Sequence, residues 1–202
     1  MPDRIIHLNA LNLDLPVNDN VFFHDDGFVQ DLNMHFAMTA ARYGASRKEI
    51  EELLENTEIL GRMRAFRNRG ELHIHIGYYV DRSEIQQLQT RGHEETHVLY
   101  TLGALSALKD AMKEKFSLDI NFEKVYHLTQ DHYKLSEVSA DIGGLFAVHQ
   151  TFGRRKMIDY YKPLAAEYEY LDLAFDIYLE AMNGPKPSLL RWLPIPFRGS
   201  GV

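Results

Sequence analysis

Arg91-Gly92-His93-Glu94-Glu95-Thr96-His97-Val98-Leu99-Tyr100-Thr101-Leu102 is the stretch that decides how the chain is read, because five of its residues spell H-E-x-x-H. On an α-helix, residues four apart lie one turn above each other, so the imidazoles of His93 and His97 can converge on one metal ion. Glu94 is offset by one residue from the first ligand. Its carboxylate can reach a water on that metal without taking a coordination position, which is the place of a general base. A catalytic zinc takes three protein ligands and keeps a fourth position open, so the sequence must supply one more. The best candidate is Glu137, in Ser136-Glu137-Val138-Ser139-Ala140-Asp141-Ile142-Gly143-Gly144. The intervening chain is long enough for a loop and a return helix lying against the first. Asp141 is one turn after Glu137 and could accept a hydrogen bond from the outer ring nitrogen of a ligand histidine, fixing its tautomer.

With these residues the chain resembles the gluzincin metallopeptidases, which include thermolysin-like and neprilysin-like enzymes and short intracellular peptidases that cleave transcriptional repressors. Their shared pattern is H-E-x-x-H on one helix and E-x-x-x-D on a second, here His93 to His97 and Glu137 to Asp141. The resemblance covers about 60 residues. It implies an α+β, zincin-like fold, helix-dominated, with a small sheet whose edge strand flanks the active-site cleft. It also implies Zn2+ as cofactor and hydrolysis of peptide bonds in a peptide or protein substrate. The strand before the active-site helix, residues 71–80, would hold that substrate by its backbone. Such hydrolysis needs a Tyr or His to stabilise the oxyanion. Tyr126, His127, His132 and Tyr133 cluster before the second motif; Tyr133 or His132 is preferred, and His149 is a further possibility.

Rival readings of the same motif are weaker. A metzincin would place a third histidine shortly after His97, yet Tyr100, Thr101, Leu102 and Gly103 follow. A di-iron bundle needs two Glu-x-x-His motifs, and only Glu94 to His97 supplies one. His73 and His75, two apart on one face of a strand, invite a metal assignment, but a solvated strand face is the simpler reading. The competing functional class is a non-catalytic zincin-like binding or regulatory module, or a peptidase made latent by residues 1–30 or by the C-terminal tail.

Composition sets the limits. A chain of 202 residues, 45% hydrophobic and 25% charged, suits one globular domain, here residues 1–184, followed by a Pro-rich tail over 185–202. The net charge of -7 and the lack of a basic cluster argue against nucleic acid. With no cysteine, a metal must be held by nitrogen and oxygen. No apolar run is long enough for a membrane span and no secretory signal is recognisable at Met1-Pro2-Asp3-Arg4, so a cytoplasmic location is expected.

Local signals place the elements. Asp31 is a reasonable N-cap for a helix from Leu32 to about Tyr43, and Ser46 with Glu49 forms a capping box for a second. Residues 63–67 and 71–80, joined through Asn68-Arg69-Gly70, read as a hairpin. Ser83 and Gln86 open a helix from Glu84 to about Leu102, and Leu105, Leu108 and Met112 continue as an amphipathic segment. The pattern between Phe116 and Leu135 is mixed. A helix beginning near Leu135 carries Glu137 and ends at Gly153, and a last one, starting around Pro163, stops at Asn183-Gly184. Gly92, Gly143 and Gly144 would weaken their helices unless the two cross at close range.

Overall fold

The computed structural model describes residues 4–55 and 60–184; the Pro-rich tail expected over 185–202 lies outside them. Two short strands, β1 (Arg4–Leu8) and β2 (Leu13–Val17), form an antiparallel hairpin. Strands β3 (Val21–Val29), β4 (Gly61–Asn68) and β5 (Glu71–Tyr79) form a three-stranded sheet in the order β3-β5-β4. The β4–β5 hairpin turns through Arg69 (φ 49°) and Gly70 (φ 89°), two consecutive positive-φ residues that match the right-handed twist of the strands.

The order of the strands corrects one expectation. β5 is the central strand, bonded in parallel to β3 and antiparallel to β4, so its backbone is used on both sides and it is no substrate-binding edge. The first thirty residues, which carried little signal, supply the strand that closes off that side. β3 carries an irregularity at Asp25-Asp26-Gly27, where the register shifts between Asp25 and Phe28. The edge strand beside the helix that carries His93 and His97 is β4.

Both faces of β5 are covered. Ile74, Ile76 and Tyr78 enter the main core. The other face, expected to be solvated, meets α1 (Leu32–Arg42) and α2 (Arg47–Glu55), whose Leu32, Phe36, Ala37, Ala40 and Leu53 make a second small core. Asp31 caps α1 by accepting from the Met34 N–H, and Ser46 with Glu49 caps α2. His75 is therefore buried, its Nδ1 bonded to Asp26 at 3.0 Å and its Nε2 to the Tyr43 hydroxyl at 3.1 Å. His73 bonds Glu71 and His24. These imidazoles are partners in a hydrogen-bonded network that includes His35 on Asp26, and they join no metal-holding group among the described residues.

Beneath the sheet lies α3 (Glu84–Thr101), opened by the Ser83–Gln86 capping box. α4 (Leu105–Phe116) follows, and the mixed region forms a further helix, α5 (Phe122–Thr129), capped by Asn121. α6 (His132–Ala165) starts three residues earlier than the sequence suggests because Asp131 caps it by accepting from the Lys134 N–H. Gly153, at φ 82° and ψ 166°, is non-helical and divides this span into two helices, so the first ends where the sequence suggests, and Pro163 falls near the C-terminus of the second. The last helix is α7 (Glu169–Asn183).

α3 and α6 cross at backbone contact distance. A Cβ on Gly92 would lie 2.8 Å from the Gly143 carbonyl oxygen, and one on Gly143 would lie 1.8 Å from Thr96 Oγ1 and 2.9 Å from the Gly92 carbonyl oxygen. Thr96 has nowhere to turn, being fully buried with its hydroxyl donating to that same carbonyl. Gly143→Ala should therefore destabilise the protein by about 2–3 kcal/mol through overpacking. Thermal melting should show a midpoint several degrees lower, whereas an unchanged midpoint would mean that the helices can part at no cost.

Candidate metal centre

α3 projects His93 and His97 to the same side, and the close crossing brings Glu137, in the second turn of α6, up to meet them. Their Nε2 atoms lie 3.1 Å apart. Glu137 Oε2 is 3.6 Å from His93 Nε2, and its Oε1 is 3.7 Å from His97 Nε2. Tetrahedral ligands about 2.05 Å from a zinc ion are about 3.4 Å apart, so these separations bracket the value needed. Among the described residues this is the one group of histidine and carboxylate side chains that could hold a metal.

The outer nitrogens are committed. His93 Nδ1 bonds Asp141 Oδ1 at 2.9 Å, as the one-turn spacing from Glu137 suggests, and His97 Nδ1 lies 2.9 Å from Ser136 Oγ. With Nδ1–H donating in each ring, both Nε2 lone pairs point at the meeting place. The role of Ser136 is missed by sequence reasoning; its place directly before the third ligand was the available signal.

Electrostatics favour a cation there. Burial opposes charge on His93, yet hydrogen bonds to Asp141 and Glu137 raise it well above the usual imidazole range. Burial and then the neighbouring His93 push His97 down to about 4. Burial also works against the Glu137 anion, but His93 and His97 hold that carboxyl below its ordinary value. The group thus stabilises one positive charge beside one carboxylate. An all-nitrogen and oxygen set of two neutral imidazoles and one carboxylate suits zinc.

Glu94 is buried, at 6% exposure. Burial pushes its carboxyl up to about 7, against the pull of His93, Arg62 and the Met63 backbone N–H. It is hemmed in by β4: a Cβ on Gly61 would come within 2.8 Å of Glu94 Oε1 and 2.5 Å of Thr90 Cγ2. Glu95 faces elsewhere, accepting the Ala10 and Leu11 N–H groups at 3.0 and 2.9 Å and so fastening the β1–β2 turn to α3.

A cleft of about 780 Å3 opens over His93, Glu94 and Glu137, with Leu60 and Gly61 on one side. Tyr133 lines it and is 66% exposed. The nearby Glu137 charge, and then burial, raise its phenol above the ordinary range, so it remains an O–H donor. His132 turns away, its Nδ1 lying 3.2 Å from the Tyr100 hydroxyl. His149 is buried, stacked on Phe116 and bonded to Tyr178, and it takes no part in the cleft. None of residues 4–30 lines the cleft either.

Asp141→Asn and Ser136→Ala should each weaken zinc binding by about 10–100-fold, since each removes the partner that orients a ligand ring. Competitive titration against a chromogenic chelator measures this, and wild-type affinity in both variants would remove their orienting role. No family model, curated protein or solved structure matches this chain.

Proposed function

We propose that the protein is a zinc-dependent peptidase, acting on a peptide or protein substrate in the cleft over His93, Glu94 and Glu137. The observation that carries this reading is a buried carboxylate left over beside a complete ligand set. Three side chains suffice to hold an ion, and Glu94 is not one of them. A purely structural metal centre needs no such group, whereas hydrolysis needs a base at that place.

Zinc bound at this site would acidify a water and polarise the scissile carbonyl. Glu94 takes the proton from the attacking water and delivers it to the leaving amine. Its carboxyl is raised by burial towards neutrality, where a group can both accept and return a proton. Tyr133, on the first turn of α6, donates its hydroxyl to the oxygen that gains charge. Asp141 and Ser136 engage the Nδ1 side of His93 and His97, which leaves Nε2 of each ring for the metal.

β4 is the strand that would hold the substrate. The Tyr79 N–H donates to the Leu60 carbonyl, so the alternate residues Gly61, Met63 and Ala65 turn their backbone groups away from β5, the Met63 N–H towards Glu94. An extended peptide can pair with that edge directly above the ligands. The open cleft, which none of residues 4–30 lines, favours an active enzyme over one masked by those residues.

Zinc-loaded protein should cut members of a mixed peptide library, read by mass spectrometry. Glu94→Gln should retain its zinc while losing about 10²–10⁴-fold in kcat. Tyr133→Phe should lose about 10²-fold in kcat with little change in KM. Bound zinc with no cleavage of any peptide would favour the non-catalytic module instead.

A further inference from the structure

A second cavity, of about 530 Å3, lies on the other side of β4, between that strand and the α1–α2 layer. Its distinctive residue is Arg62, which is 5% exposed. A guanidinium carries five N–H donors and a charge that is costly to bury without an anion. Here one long bond of 3.4 Å reaches the Leu53 carbonyl, and the Phe36 ring lies 5.8 Å away. The arginine ion pairs among the described residues belong to Arg47, Arg91 and Arg155. Arg62 has none. Burial and then the neighbouring Arg64 work against its charge, and the Glu94 carboxylate, which makes no ion pair with it, offsets them only in part.

The other charges lining the cavity do not supply the missing anion. Arg64 and Arg67 add two exposed cations of the same sign. The Glu49 carboxylate is bonded to the Ser46 N–H at 2.7 Å and to its hydroxyl at 2.6 Å, and Glu52 is 3.6 Å from Lys48 Nζ. On the sheet side, the Tyr43 hydroxyl is engaged by His75.

We infer that this cavity is a binding site for a small oxyanion, a carboxylate or phosphate group gripped in the planar fork of Arg62 and closed over by Arg64 at the rim. Arginine meets both groups with two parallel N–H bonds, which lysine cannot do. The volume fits a small molecule carrying such a group rather than a polymer. The cavity is separate from the cleft of the metal centre, since Arg62 points to Leu53 and Phe36 whereas its neighbour Gly61 faces Thr90 and Glu94, although the Arg62 and Glu94 charges act on each other across β4.

The test titrates full-length, zinc-loaded protein with inorganic phosphate and, in a second arm, malonate, against chloride at matched ionic strength. Calorimetry reads affinity and amide chemical shifts read place. The expected result is saturable binding of at least one probe, with shifts at residues 43–45 and 62–67 larger than any at 93–97 and retained in zinc-free protein. The tighter arm identifies the anion. Arg64→Gln, at an exposed position, should weaken that binding about tenfold without moving the melting temperature. Arg62→Lys, which keeps the charge but loses the fork, should weaken it further. Absence of saturable binding in both arms, shifts confined to the metal centre, or wild-type affinity in both variants would each overturn the assignment.

Discussion

The contact on which the candidate site depends is the crossing of two helix backbones at Gly92 and Gly143. Ligands drawn from separate helices must be placed to within a few tenths of an ångström to close a coordination shell. Two helices with ordinary side chains at their contact lie about 8–10 Å apart. Here the side chains are deleted at the contact, and a single added carbon on Gly143 would fall inside the radius of Thr96 Oγ1. That approach allows the Glu137 carboxylate, on the second turn of α6, to reach imidazoles on α3. The helix-weakening cost of two adjacent glycines, about 1 kcal/mol each, is offset by burial of a continuous interface including Leu99, Val138, Ile142 and Leu145.

Five consecutive residues on α3 then have five separate partners. His93 is held by Asp141, Glu94 lies against β4, Glu95 takes the amides of Ala10 and Leu11, Thr96 bonds Gly92, and His97 is held by Ser136. The two positions written x in H-E-x-x-H are therefore as constrained as the named ones, but by folding rather than chemistry. Burial pushes the Glu95 carboxyl up to about 7, and the two backbone N–H groups partly offset this. Its replacement by a residue without acceptors would leave both amides of the β1–β2 turn without their partner.

What the sequence discloses is what is local or periodic. The N-cap at Asp31, the capping boxes at Ser46 and Ser83, the Arg69-Gly70 turn and the pairing of Glu137 with Asp141 are all set by spacings of a few residues. The glycines announce the helix crossing because they have no other reason to interrupt helical patterns. The order of strands is not local. β5 pairs in parallel with β3 across some fifty residues of chain, and nothing in its alternation distinguishes a central strand from an edge. Its second face looked solvated because it carries histidines, whereas hydrogen bonds to Asp26 and Tyr43 are what make their burial tolerable. Gly153 ends its helix, but another starts directly after it, with Met157 and Tyr161 buried in the core, well before the start that Pro163 suggests.

Moving the edge from β5 to β4 changes what the sheet can do. A central strand offers only side chains to a ligand, whereas β4 is an edge strand with one side of its backbone unpaired by another strand, and its first residue, Gly61, lines the cleft. The same strand presses Gly61 against Glu94 on one face and carries Arg62 into the α1–α2 layer on the other. Its conformation is thus set from both sides, and any shift of β4 along its axis would move the backbone that confines Glu94. A side chain larger than glycine at position 61 would displace either that carboxylate or the strand. Precise placement of the Glu94 carboxylate therefore rests on a residue that has no chemistry of its own, thirty-three positions earlier in the chain.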